Sequence, residues 1–425
     1  MMELVKKPAY LILGLILLTA FIIMASVSKE EPANMDELAH IPAGYGYVKY
    51  LDYRLNPEHP PLVKMLSALP LAFMDLNFSR EISAWKTDVN GQWEAGAKFL
   101  YESGNDADGI IKWARLGPML ITLTLIFFIY LWTKELLGSW WALLPTAIFA
   151  FSPTVLAHGH YVTTDLGAAL GIFISIYYYV KHHLNPSRRN LILAGIAFGI
   201  AQLLKFSAVL LIPYLFLLTI IFCFARVYRS SQQGSIENKF RAFSGEALKK
   251  LVSLFSIFLI GFILVYPFYF ITTINYPGEK QKADTEFILT SFAGGKPAQG
   301  EFCTPLRCLA ELDIWAADKP ILKPYSEYLL GILMVVQRSA GGNTTYFLGE
   351  VSNLGSWYYF PLTYLMKEPL PTLLLLFLAF AIALINIWRA IKQKRPTFID
   401  YLETHPAEFS MILFFRFQIP NLTHL

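Results

Sequence analysis

Only 3 of the 425 residues are cysteine, so disulfides cannot brace this fold as they do small secreted scaffolds. Charged residues make up 16% of the chain, too few to cover an ordinary soluble domain of this size. No internal repeat or low-complexity tract is visible, which argues against the repeated halves of many transporters. The net charge of +4 is small and gives no sign of a nucleic-acid partner. What the chain has in excess is apolar residues, at 55%, with 15% aromatic.

The apolar residues come in blocks. Residues 9–26, 116–132, 140–157, 166–180, 191–225, 251–271 and 370–388 are each close to the length needed to cross a bilayer, which is ~20 helical residues. The block 191–225 is too long for one span and carries Lys205 near its middle; the expectation is two helices that turn there. This predicts an all-α polytopic membrane protein of about eight spans, with a ninth near 406–416. The first block is long for a cleavable signal peptide and no Ala-x-Ala site follows, so it reads as a retained anchor.

Lys and Arg sort by connection. Lys6 and Lys7, Lys134, Lys181 with Arg188 and Arg189, the run Arg226 to Lys250, and Arg389 to Arg395 fall on one side of the membrane if the blocks are spans. By the positive-inside rule that side is the cytoplasm. The long loops 27–113 and 272–327 then face outward. Residues 43–51 and 61–73 read as short amphipathic helices at the interface. The clusters Tyr45–Tyr53 and Trp357–Tyr359 read as aromatic belts. Cys223 lies inside a span. Cys303 and Cys308 flank Pro305 in the second loop, where a short disulfide is expected in an oxidising compartment, with two unpaired thiols as the alternative.

The densest polar cluster is NMDELAHIPAGYGYVKYLDYRLNPEHPPLVKMLSALPL, residues 34–71. It holds Asp36, Glu37, His40, Glu58, His59 and Lys64 just beyond the first span. Such groups near a membrane surface are costly unless water or mutual pairing compensates them. This stretch resembles the first outer loop of the protein O-mannosyltransferase and aminoarabinose-transferase superfamily of GT-C glycosyltransferases. Those proteins carry an acidic pair after the first span and then a His-Pro-Pro-Leu-x-Lys segment, matched here by Asp36-Glu37 and EHPPLVK (58–64). Three further blocks follow in order: SPTVLAHGHYVTTDLGAAL (152–170), LLKFSAVLLIP (203–213) and GGNTTYFLGEVSNLGSWYYFPLTYLMKEPLP (341–371).

The resemblance implies an inverting transfer of sugar from a polyprenyl-phosphate carrier to a protein, glycolipid or glycan acceptor. It implies an integral membrane protein of the cytoplasmic or ER-type membrane with its active site facing outward. Such chemistry needs a carboxylate base at the acceptor and cations at the departing phosphate. Asp36 is the expected base, with Glu37 orienting the acceptor or supporting Asp36. Lys64, Lys205, Lys367 and Arg338 are the expected phosphate ligands; lysines at such depths also commonly snorkel to headgroups. His40, Glu58, His59, His158, His160 and Asp165 are the expected sugar-binding tier, with His158 and Asp165 about two helical turns apart. Two histidines with carboxylates also suggest a divalent cation, with ligands unassigned. Residues 1–395 form the expected catalytic module, and 396–425 a short last segment where relatives continue through further spans. The competing readings are a transporter or lipid flippase, which would bury charges at mid-membrane, and an inactive sugar-binding relative.

Overall fold

The computed structural model describes residues 2–230, 236–297, 302–341, 344–352, 358–392, 401–402 and 404–418. Trp357, Lys394 and Arg395 lie outside them. In chain order the helices are α1 (Met2–Val27), α2 (Met35–Tyr45), α3 (Pro61–Ala68), α4 (Ser83–Lys86), α5 (Gln92–Ala97), α6 (Ala107–Ala114) and α7 (Leu116–Leu137). Next come α8 (Leu143–Ala150), α9 (Pro153–His158), α10 (Asp165–Leu184), α11 (Arg188–Leu204), α12 (Leu211–Ser230) and α13 (Ile236–Thr272). The remainder are α14 (Gly278–Ile288), α15 (Pro305–Ala316), α16 (Lys323–Gly341), α17 (Tyr359–Lys367), α18 (Leu370–Lys392) and α19 (Pro406–Gln418). A two-residue turn joins the short antiparallel strands β1 (Thr345–Phe347) and β2 (Glu350–Ser352).

The protein is an all-α polytopic membrane protein. Among the described residues five helical stretches are long and apolar enough to cross a membrane: 8–27, 107–137, 206–225, 247–272 and 370–389. The long block 191–225 divides at Lys205, which leaves helical geometry at φ −157° and separates α11 from a short 3-10 turn leading into α12. The block 140–157 differs from the expected single span. It is two short helices, because the chain straightens at Ser152 before Pro153 opens α9. α19, at 13 residues, is too short to cross a bilayer alone at ~1.5 Å per residue.

The bundle is assembled by small residues and apolar side chains. α1 buries Ala9, Leu13, Ile16 and Ala20 against Ile126 and Tyr130 of α7 and Leu143 of α8. Ile121 and Leu125 of α7 meet Leu170 and Ile174 of α10, with Val63 of α3 closing one end. α11 and α13 approach closely: a Cβ added at Gly199 would fall 2.7 Å from the carbonyl oxygen of Gly261. Small residues allow such contact between helices in a membrane, where dispersion and not water drives association.

The first long loop is a folded cap. The tyrosines expected as a belt are its core: Tyr45, Tyr47 and Tyr53 are buried, Tyr47 stacks on Tyr53 at 4.2 Å, and Tyr45 stacks on Phe99 at 5.1 Å. α3 likewise packs into protein, with Val63, Lys64 and Ser67 buried, and is not an exposed interfacial helix. Cys303 and Cys308 are bonded to each other, and Cys223 is buried and takes no part in that disulfide.

Gly199→Val should lower the thermal unfolding midpoint of the detergent-solubilised protein, as overpacking typically costs ~1–3 kcal/mol. Gly14→Ala, where nothing lies within 4 Å of the added carbon, should leave the midpoint unchanged or raise it.

Candidate functional site

The site begins at the N-terminus of α2. The Asn34 side chain accepts from the amide of Glu37, and Glu37 accepts from the amide of Asn34, each at 2.9 Å. This reciprocal cap fixes the first turn. Adjacent residues on a helix diverge by about 100°, and the two acids of the pair have different fates. Glu37 is fully buried, while Asp36 is exposed.

Glu37 is held by Arg115, which stands between α6 and α7. The guanidinium donates to both carboxylate oxygens, at 2.9 and 2.8 Å, and to the carbonyls of Ser28, Glu31 and Pro32 at 2.8–3.0 Å. All five of its N–H donors are thereby used. Glu37 also accepts from the amide of Val162 at 3.0 Å. Its oxygens are therefore closed on protein donors and do not face the open surface.

Around Asp36 the structure gathers His40, Glu58, His59, Asp165, Lys205 and Arg338. Lys205 donates to Asp165 at 2.6 Å, and Arg338 lies 3.6 Å from Glu58. His40 packs edge-on to His59 with ring centres 4.9 Å apart. Among the described residues Asp36 makes no hydrogen bond or ion pair, unlike Glu58 and Asp165, the other two carboxylates of the cluster. Desolvation, then the charge of Asp165, holds its carboxyl above the usual carboxylate range.

Burial disfavours the charged form of His40 and His59. Burial pushes His40 down to about 3 and His59 down to about 2, with nearby Lys64 adding to both and His40 to His59. Nδ1 of His40 lies 2.6 Å from the carbonyl of Val162. A carbonyl can only accept, which assigns the proton to Nδ1 and leaves Nε2 as an acceptor.

One layer behind this surface sits Lys64, with no solvent exposure. Its ammonium faces inward, 2.7–2.8 Å from Tyr47 Oη, Asn56 O, Asn56 Oδ1 and His59 O. Asn56 donates in turn to Gln92, and Gln92 donates to Glu58. Pro60 and Pro61 set the turn from which α3 starts, placing Glu58 and His59 on the open side and Lys64 on the closed side.

The remaining expected residues scatter. His158 ends α9 and Asp165 starts α10, so the loop 159–164 separates them. His160 is buried, with Nε2 2.7 Å from Glu31 and Nδ1 3.0 Å from the Leu156 carbonyl. Lys367 is exposed at the end of α17, and no described contact joins it to Asp36, Asp165 or Lys205. Among the described residues no three His, Cys, Asp or Glu side chains are grouped as a metal ion would need.

Arg115, Asn56, Gln92 and the Val162 backbone are the residues that sequence reasoning missed. For Arg115 a signal existed. It is a lone arginine at the acid-rich end of an apolar run, where the positive-inside rule does not want one.

Arg115→Met should unfold the cap, since removing one partner of a buried pair typically costs ~3–5 kcal/mol. Arg115→Met combined with Glu37→Gln should recover part of the loss, read as thermal midpoint. A second expectation concerns acid. The folded pKa values of His40 and His59 lie far below 6.5, so the unfolded chain binds more protons between about 6.5 and 3. Stability should therefore fall as pH drops through that window. The raised Asp36 acts in the opposite sense, because the folded chain then binds its proton first. Thermal midpoints from pH 7 to 4 should drop less steeply in His40→Asn than in the parent.

Residues 14–278 match the family described as dolichyl-phosphate-mannose-protein mannosyltransferase. No curated protein matches the chain. The matched stretch covers more than half the sequence and includes Asp36, Glu58, His59, Asp165 and Lys205, leaving Arg338 and Lys367 beyond it. On that match the protein belongs to the dolichyl-phosphate-mannose-protein mannosyltransferase family, a family of glycosyltransferases.

Proposed function

We propose that the chain moves a sugar from a polyprenyl-phosphate carrier to an acceptor hydroxyl, with inversion, at the open surface around Asp36. The single observation that carries this reading is the unpaired, exposed carboxylate of Asp36 amid otherwise neutralised acids. A base must be able to reach the acceptor and take its proton. The acceptor oxygen attacks the anomeric carbon from the face opposite the phosphate. Its proton passes to Asp36, the bond from the anomeric carbon to phosphate oxygen breaks, and the electron pair leaves on the phosphate.

The raised affinity of Asp36 for protons strengthens it as a base near neutral pH. Lys205 and Arg338 are the cations open to the surface, and in this reading they meet the phosphate as its charge grows. Binding phosphate would draw Lys205 away from Asp165 and Arg338 away from Glu58. Lys64, closed on four oxygens, then serves as the post that positions His59 and Asn56. His40 Nε2 and His59, both neutral, suit hydroxyls of the sugar. The family name points to mannose as the sugar and protein as the acceptor. The alternation of Lys and Arg supports a site on the face away from the cytoplasm. A transport reading gains nothing from the ion pair, since Asp165 opens α10 and Lys205 follows the end of α11; both stand at helix ends.

Asp36→Asn should reduce transfer ~10²–10⁴-fold while leaving donor binding intact, measured with purified protein, a polyprenyl-phosphate mannose and a serine- or threonine-bearing peptide. Lys205→Ala should weaken donor binding as well as turnover, because its charge meets phosphate in ground and transition states alike. Near-normal transfer by Asp36→Asn would remove Asp36 as the base.

A further inference from the structure

The break between α11 and α12 is bridged by one side-chain amide. Gln202, fully buried in the last turn of α11, reaches across it, and its Nε2 donates to the Ala208 carbonyl at 2.9 Å. Between those two residues lies Lys205, in extended geometry at φ −157° and ψ 137°. The other end of the amide is held as well, since the Tyr328 hydroxyl of α16 donates to Gln202 Oε1 at 2.9 Å. A carbonyl can only accept, so Ala208 fixes which end of the amide carries nitrogen and leaves the oxygen for Tyr328.

α16 holds the same turn by packing. Phe206, the residue after Lys205, is buried with its ring centre 5.8 Å from that of Tyr328. Nearly one turn along α16, a Cβ added at Gly331 would fall on Phe206 Cζ and lie 2.8 Å from the Pro57 carbonyl oxygen. The backbone of α16 therefore lies directly against the Lys205 turn and against the residue before Glu58. Gly331 and Arg338 are about two helical turns apart, so both stand on one side of α16. From that side Arg338 lies 3.6 Å from Glu58. One helix thus touches the turn that carries Lys205 and the segment that carries Glu58.

We infer that Gln202 and Tyr328 are positioning residues for the donor phosphate, acting through Lys205, a role that rests on the reading of Lys205 as a phosphate ligand. Both are buried and act on the turn, not on the reacting atoms. Lys205 is fixed at two ends: its ammonium by Asp165 at 2.6 Å, its backbone by the turn that Gln202 closes. Phosphate binding releases the ammonium end, and the backbone end alone then aims the cation. Without the Tyr328 hydroxyl the amide loses one of its two anchors and can rotate about its side-chain bonds. The Ala208 carbonyl then loses a fixed donor, and the turn that projects Lys205 can shift.

The test uses the full chain in detergent, with a polyprenyl-phosphate mannose as donor and a serine-bearing peptide as acceptor. Tyr328→Phe keeps the ring against Phe206 and removes only the hydroxyl. Donor Kd should rise roughly fivefold, the effect of one hydrogen bond, with the peptide KM unchanged. In Lys205→Ala the same substitution should change donor Kd by under about twofold, because the effects of coupled residues do not add. A comparable loss that persists without Lys205 overturns the inference, since the hydroxyl then supports the fold at large. Gln202→Leu should show the same dependence on Lys205; should it fail to fold, Tyr328→Phe decides alone. A second readout needs no donor. Labelling of Lys205 by an amine-reactive reagent is scored by peptide mass spectrometry against Lys112, which is exposed on α6. It should run several times faster in Tyr328→Phe than in the parent. Unchanged labelling overturns the inference whatever the donor does. Faster labelling in a chain whose parent form binds no polyprenyl phosphate upholds the grip on Lys205 and removes instead its reading as a phosphate ligand.

Discussion

The buried pair of Arg115 and Glu37 is the constraint on which the site depends. Neither side chain has any solvent exposure. Taking both charges out of water is costly, and the pair is tolerable because every hydrogen-bonding position is filled. Arg115 gathers carbonyls from the chain leaving α1, while Glu37 gathers amides from the start of α2 and from Val162 before α10. Three separate stretches of sequence thus meet at one ion pair. With Glu37 locked inward, Asp36 has one direction left, toward the open surface. The inert acid aims the available one.

The same economy of charge runs through the rest of the cluster. Burial keeps His40 and His59 neutral, so they add hydrogen-bonding capacity without adding charge. Glu58 is balanced by Arg338 and Asp165 by Lys205. Lys64 is surrounded by oxygen dipoles and not by a carboxylate partner, and burial pushes its pKa well down. A lysine head group met by four fixed oxygens is held in place, which suits a structural post better than a mobile counter-ion.

Much of this was legible in the sequence, and the boundary of legibility is physical. Five of the apolar runs coincide with helices long and apolar enough to span a membrane, the run 140–157 is two short helices, and Lys205 in mid-run marked the turn between α11 and α12. The order Asp36-Glu37, EHPPLVK and Asp165 gave the family and most of the cluster. What the sequence hid were pairings over long separations. Glu37 and Arg115 are 78 residues apart, and His160 and Glu31 are 129 apart. Composition treats each of these as a lone charge near a membrane surface, because nothing local distinguishes a residue that snorkels from one that is buried and paired. Lys64 escaped for a related reason. The His-Pro-Pro-Leu-x-Lys spacing places it near the site, but which side of α3 faces inward is decided by Tyr47 and Asn56 from the folded cap.

The tyrosines show the same principle from the apolar side. A run rich in tyrosine beside a span is ordinarily an interfacial belt, with rings in the headgroups and hydroxyls in water. Here the loop is long enough to fold on itself, and burying Tyr45, Tyr47 and Tyr53 removes large apolar area while each ring needs one partner for its hydroxyl. Tyr47 finds Leu55 and Lys64, and Tyr53 finds the His59 carbonyl at 2.9 Å. Those hydroxyls reach the same backbone that Lys64 holds. The aromatic core and the polar post therefore fix one segment, residues 55–59, from two sides, and that segment presents Glu58 and His59 to the surface where Asp36 stands. A loop stabilised only by the membrane interface would leave these side chains to move with the lipid. A loop with its own core keeps them in register with α10 and α11, which carry Asp165 and bring Lys205 to the site.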